Sequence, residues 1–337
     1  MEFLVQLLIA AVEMGTPLLL ATLGGVISER AGVINLGMEG LMLVGALTAF
    51  VVMLHTGSPI LAVALASIAG GLVTMLHGLV CLMLRANQIA SGLALTLFGT
   101  GLSGLFGSSL VGKTFNPIED IPIPFLHKIP LIGEAFFNQD ILVYFSYFCA
   151  VLTWWVLFRT RLGLNIRSMG EAPEVCDSLG LSVLAYRFWT LVVGGGLIGI
   201  GGAYFSIAMN PYWVDFITAG RGWIAVALVI FALWHPLKAM AGAYLFGLAL
   251  ALELRLQTLG LNVSPYILKM MPYFLTILVL TVVTIKNARR DIKVMPAALG
   301  QVFFSGFKKL IWKNLQIIVQ LCMRTSTLNY LIKESHA

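Results

Sequence analysis

Long apolar runs alternate with short polar breaks along this chain. The runs lie at roughly 3–27, 34–54, 59–84, 88–111, 141–158, 188–209, 222–234, 240–254 and 272–285. Each is mostly free of charge, and a membrane-crossing helix needs about 20 such residues. The pattern predicts an all-α, polytopic membrane protein with about nine spans. The pair at 222–254 is short and meets at His235-Pro236. Proline removes a backbone donor there, so the pair reads either as two half-depth helices or as a bent hairpin.

Composition supports the pattern. Of 337 residues, 59% are hydrophobic and only 11% are charged. A soluble domain carries about 25% charge, so an ordinary soluble enzyme, a disordered chain and a disulfide scaffold are excluded. The 34 glycines suit close helix contact in lipid, where small residues let backbones approach. The run Gly194, Gly195, Gly196, Gly199, Gly201 and Gly202 is read as such a crossing surface. The aromatics after it, from Tyr204 to Phe216, fit an outer interfacial belt or a stacking face for a ring-shaped solute. Cys81, Cys149, Cys176 and Cys322 match no metal or redox spacing, and five scattered histidines form no ligand motif. No metal and no catalytic residue is expected. The N-terminus lacks the basic region of a cleavable signal.

The net charge of +6 is concentrated at one end. Residues 286–337 hold nine basic and two acidic side chains, leaving 12 basic and 13 acidic residues in 1–285. Basic flanks stay in the cytoplasm, which predicts a cytoplasmic C-terminus and, with nine spans, an external N-terminus. Membrane lipid is therefore a better partner for the tail than nucleic acid. The chain divides into a membrane domain at 1–285 and a basic tail at 286–337, with an interfacial helix expected at 303–323. Removal of the tail after Ile292 is expected to leave function intact.

Several polar residues interrupt the apolar runs. Glu39 follows Asn35 among Gly32, Gly37, Gly40 and Gly45, which suggests a broken helix near 32–40. A charge at mid-membrane costs about 2.5–3.5 kcal/mol and persists where it meets a cavity or a partner. Two readings fit Glu39: it lines a translocation path, or it pairs with Arg30 at the cytoplasmic boundary. Glu13, before Gly15 and Pro17, fits either a path or a helix–helix contact. Asn87 and Gln88 follow Arg85 and fit helix capping at a boundary. The stretch Gly107 to Thr114 (GSSLVGKT) matches the phosphate-loop pattern by letter, but it follows an apolar run and lacks the required strand.

The largest internal basic loop is 159–187. Pro173 suits the start of a helix and Gly180 its end, predicting a two-turn helix at 173–179 with Gly163 and Gly170 as breaks before it. Glu171 and Glu174 lie where a helix N-terminus favours negative charge. Such a short helix below the membrane is a handle for a partner or a passive connector.

Here the chain resembles a known family. Gly163, Arg167, Gly170, Glu171, Pro173 and Gly180 lie in a loop similar to the coupling loop of ABC importer permeases, in the branch serving branched-chain amino acids, ribose-like sugars and nucleosides. Ser168 and Cys176 stand where alanine is commoner. Residues 28–45, 87–96 and 220–257 resemble further stretches of the nucleoside and simple-sugar permeases, with Thr96 in place of a usual asparagine. The resemblance places the segment of Asn87, Gln88 and Thr96 beside the pathway. It implies half of a transport channel in a bacterial inner or plasma membrane, moving a small neutral polar solute. It also implies a separate cytoplasmic ATPase that binds ATP, a second permease, equal or different, and an external solute-binding protein. No cofactor is expected in this chain. The rival is an ion-coupled secondary transporter using Glu13 or Glu39.

Overall fold

The computed structural model describes residues 2–116, 118–124, 129, 132–258, 264–288 and 295–304. Most of the predicted interfacial helix at 303–323 therefore lies outside the described residues.

Among the described residues, seven helices are long and apolar enough to cross a membrane. They are α1 (Glu2–Arg30), α2 (Met38–Thr56), α3 (Pro59–Gly78), α4 (Gln88–Gly107), α6 (Ile141–Arg159), α9 (Val183–Tyr204) and α11 (Pro236–Thr258). Helices α3 and α9 each continue through a π-helical turn, Leu79–Met83 and Phe205–Met209. The other two predicted segments take different forms. Residues 222–234 coincide with α10 (Arg221–Phe231), a half-length helix, and 272–285 lie within α12 (Pro265–Ala288). Short helices α5 (Ile132–Phe137), α7 (Arg161–Glu171) and α8 (Pro173–Ser178) fill the connections. Two three-residue strands, Asp120–Pro122 and Asn138–Asp140, pair antiparallel in the 111–140 loop.

Helix α9 forms the centre. Buried positions fill 78% of its apolar window, against 28% for α3 and α4. Its glycine run supplies the surface on which α1, α2 and α3 pack. A Cβ on Gly45 of α2 would lie 2.1 Å from the Gly199 carbonyl oxygen, so the crossing excludes any side chain. In lipid this van der Waals contact replaces the hydrophobic drive that water supplies elsewhere.

The bundle has two unlike ends. One gathers residues 31–37, α7–α8, the α10–α11 turn and 295–304. The other holds the 111–140 loop, where Thr114 bridges to Tyr212 and Asp140 meets Tyr204. Residues 295–304 belong to the basic tail as divided by sequence, and they pack against α7, α8, α9 and the 31–37 segment.

Candidate functional site

The loop singled out by sequence folds as two helices at a sharp corner. Thr160 caps α7, its Oγ1 accepting from the Gly163 N–H at 3.2 Å. Gly163, Ile166, Met169 and Gly170 share the buried face at helical spacing. The two glycines were expected as helix breaks, yet both lie inside α7. A Cβ on Gly163 would sit 2.0 Å from the Val156 carbonyl oxygen, and one on Gly170 2.2 Å from that of Arg30. They permit close approach and do not end the helix. The break falls at Ala172, and Pro173 opens α8. Gly180 ends it with φ +82°. The Leu181 N–H donates to Cys176 O at 3.0 Å and the Gly180 N–H to Asp177 O at 3.0 Å, closing a Schellman cap.

Arg167 and Arg30 both stack on Phe158, at 4.9 and 5.6 Å from its ring centroid. Arg30 also donates through Nε to Trp234 O at 2.9 Å and through Nη2 to Leu233 O at 3.3 Å. Trp234 Nε1 in turn donates to Glu29 at 2.6 Å. Helix α7 thus abuts the end of α1 and the turn after α10.

The predicted helix break is observed at residues 31–37, between α1 and α2. Irregular backbone in an apolar bundle must find partners inside the protein, since each unpaired N–H or C=O costs several kcal/mol. Side chains from α3, α4 and α9, with Asn35 of the segment itself, supply them. Gln88 Oε1 accepts from the Ile34 N–H at 2.8 Å, and Asn35 Oδ1 from the Gly37 N–H at 2.9 Å. Thr96 Oγ1 donates to Leu36 O at 3.0 Å. His77 Nε2 lies 3.0 Å from Ile34 O, which can only accept, so the proton sits on Nε2. Arg187, buried in α9, donates to Ala31 O at 2.9 Å, Gln301 O at 3.2 Å and Met169 O at 3.4 Å. Asn87 caps α4, accepting from Ile89 and Ala90 N–H at 2.9 and 3.1 Å.

Glu39 stands one residue into α2 and is buried. It does not pair with Arg30. Oε1 accepts from Thr218 Oγ1 and, at 2.9 Å, from the Gly220 N–H; Oε2 accepts from the Gly222 N–H at 2.6 Å. The two backbone N–H groups are orphan donors of the α10 N-terminus, where the helix dipole favours an anion. Arg30 binds carbonyls just beyond the other end of α10, where the dipole favours a cation. The half-helix is therefore held by a carboxylate at its start and a guanidinium at its finish. A Cβ on Gly222 would lie 2.5 Å from Glu39 Cα, so glycine is what admits the contact.

Asn35, Gln88 and Thr96 thus converge on one segment, with Glu39 a turn away. Glu13 lies apart, in the field of Asp120 and Asp140 at the opposite end. Thr218, Gly220, Gly222, His77 and Arg187 escaped the sequence reading, although Arg187 lay within the loop it bounded. Two apolar grooves of about 550 Å³, one between α6 and α9 and one between α11 and α12, are lined by none of the six nominated pathway residues.

Comparison with known proteins decides the family. Residues 7–280 match the branched-chain amino acid transport system / permease component family. The chain is a member of that permease family. It is 41% identical over 325 residues to the putative glucose ABC transporter permease protein TsgC13 of Haloferax volcanii, covering 90% of this chain and 98% of that protein. It is 38% identical to the nucleoside ABC transporter permease protein NupC of Lactococcus lactis, over 79% and 88% of the two chains. Identity to the guanosine ABC transporter permease protein NupQ of Bacillus subtilis is 34%, over 81% and 90%. No solved structure gives a significant match. The protein is thus a multi-pass ABC permease, and the polar junctions described above are built into its transport domain.

Proposed function

We propose that this permease forms half of an importer channel for a nucleoside or simple sugar and is driven through α7–α8 by a separate cytoplasmic ATPase that binds the ATP. One observation carries the reading. The α7–α8 unit exposes Leu164 (54%), Val175 (57%) and Leu179 (74%), while its other face packs against Arg30 at the end of α1 and is linked through Arg187 to Ala31 of the break. An apolar surface on one side and a backbone junction on the other is the arrangement of a lever. The names of TsgC13, NupC and NupQ support the solute class, as does the scarcity of charge in the apolar runs.

A second permease, equal or different, completes the channel, and an external binding protein delivers the solute. The basic residues after Ala288 favour a cytoplasmic C-terminus, on the face that α7–α8 occupies. The path runs beside the α1–α2 junction, where Asn35, Glu39, Gln88 and Thr96 act as its frame. The buried Asn35 Nδ2 has no partner among the described residues and is a donor available to a passing solute.

The test is uptake in proteoliposomes with and without ATPase and binding protein, across nucleosides and simple sugars. The double substitution Val175→Asp with Leu179→Asp should cut ATP-driven uptake about tenfold and release the ATPase on co-purification, with the melting temperature unchanged. Uphill uptake by the chain alone, driven by a proton or sodium gradient, would instead support a secondary transporter centred on Glu13.

A further inference from the structure

We infer that residues 296–304 are a strap of the coupling machinery, joining α7–α8 to the α1–α2 break so that force applied to α8 reaches residues 31–37. The inference rests on the ATPase-driven reading above.

The strap donates to both bodies. The Ala298 N–H bonds Gly170 O at the end of α7 at 2.8 Å, and the Ala297 N–H bonds Glu171 Oε2 at 3.2 Å. Two residues further on, the Gly300 N–H bonds Gly32 O at 3.1 Å. Gly300 has φ +76°, and a Cβ there would meet Ile34 Cδ1 at 2.8 Å, so the turn is fitted to the break it touches. Arg187 closes the node. Its one guanidinium bonds Ala31 in the break, Met169 in α7 and Gln301 in the strap.

Apolar contacts follow the same route. Phe303 is only 9% exposed and packs with Met169, Cys176 and Val183, which belong to α7, α8 and α9. Ala298 is 3% exposed. Arg85, beside the start of α4, lies over the Phe304 ring at 4.6 Å. A segment that merely trailed from the last helix would leave these groups in solvent. This one buries them between the two parts that must move together, through short directional bonds that resist relative sliding.

The test uses the full transporter with its ATPase and compares three forms: wild type, a chain ending at Phe304 and a chain ending at Ile292. The first two should give equal solute transported per ATP. The third, contrary to the expectation from sequence alone, should keep ATP hydrolysis while solute per ATP falls about tenfold. Phe303→Ala and Gly300→Ala, which retain the rest of the strap, should give smaller falls in the same ratio. Equal solute per ATP in all forms overturns the strap. So does a loss of uptake and hydrolysis in proportion to assembled protein, which marks a merely structural role. A second readout needs no ATPase. Maleimide labelling of Cys176, mapped by mass spectrometry, should be slow in wild type and in the Phe304 form. It should be about tenfold faster in the Ile292 form and in Phe303→Ala. Unchanged labelling overturns the strap, even if wild-type uptake proves independent of ATP and the transport reading itself fails.

Discussion

The two ends of the bundle solve the same problem in opposite ways. At the α7–α8 end, charged and polar side chains cross long stretches of sequence to reach backbone atoms: Arg187 to Ala31, Arg30 to Trp234, Glu39 to Gly222. At the other end local caps stand beside a few remote bonds, such as that from the Phe115 N–H to Pro211 O. Asp140 caps its own helix, α6, accepting from Leu142 and Val143 N–H at 2.8 and 3.1 Å. Its side chain also reaches Tyr204, whose hydroxyl donates to Oδ2 at 2.8 Å. Local caps fix a helix but say little about its neighbours. Remote bonds make several elements move as one. The end read here as receiving force is the end in which displacement of one element must drag others.

The largest test of this contrast is Arg187→Met. It strips a buried donor from three carbonyls, and unmet buried polar groups cost about 1–3 kcal/mol each. The purified protein should melt well below wild type in a fluorescence-detected thermal scan. An unchanged melting temperature would show that the node holds nothing. Glu39→Gln comes next. One oxygen remains for Thr218 and Gly220, but an amide then faces the Gly222 N–H, donor against donor. A loss of about 1–3 kcal/mol and a clear fall in uptake are expected; wild-type values for both would remove the α10 anchor.

Asp140→Asn should cost least, about 1 kcal/mol or less, because an amide can still cap α6 and accept or donate at Tyr204. Its sharper effect is on pH. Burial raises the Asp140 carboxyl above its ordinary range, against the opposing hydrogen bonds from Tyr204, Leu142 and Val143. The folded state therefore binds this proton more tightly than the unfolded chain. The contribution of this group to stability is full below the ordinary Asp value, near pH 4, and is lost as pH rises through the raised one. Melting curves of wild type should show that decline and those of Asp140→Asn should lack it. Parallel curves would mean that the carboxyl titrates alike in both states.

Much of the architecture was legible because it depends on local rules. Apolar runs of span length marked the seven long helices, and Pro173 with Gly180 bounded α8 to within a residue. Asn87 read as a cap and is one. The reading failed where the same residue type serves two ends. Gly163 and Gly170 looked like breaks, yet in α7 they make room for the Val156 and Arg30 carbonyls. Glycine announces a missing side chain without saying whether backbone freedom or space is wanted. For Glu39 the sequence left open a path lining or a pairing with Arg30, close in sequence; its partners come from the start of α10, more than one hundred and seventy residues away.

The sequence alone determined that this chain lies in a membrane, is helical throughout its spans, and carries a short capped helix in its largest internal basic loop. Those properties follow from hydropathy, period and capping, each readable within a few turns of one segment. Only the tertiary structure decided that a carboxylate in α2 anchors the half-helix α10. It also decided that one arginine joins three segments and that residues 296–304 return to α7 and to the break at 31–37. Buried polar groups must be paired, but which group pairs with which is settled by the crossings of helices, and no stretch of sequence holds both sides of a crossing.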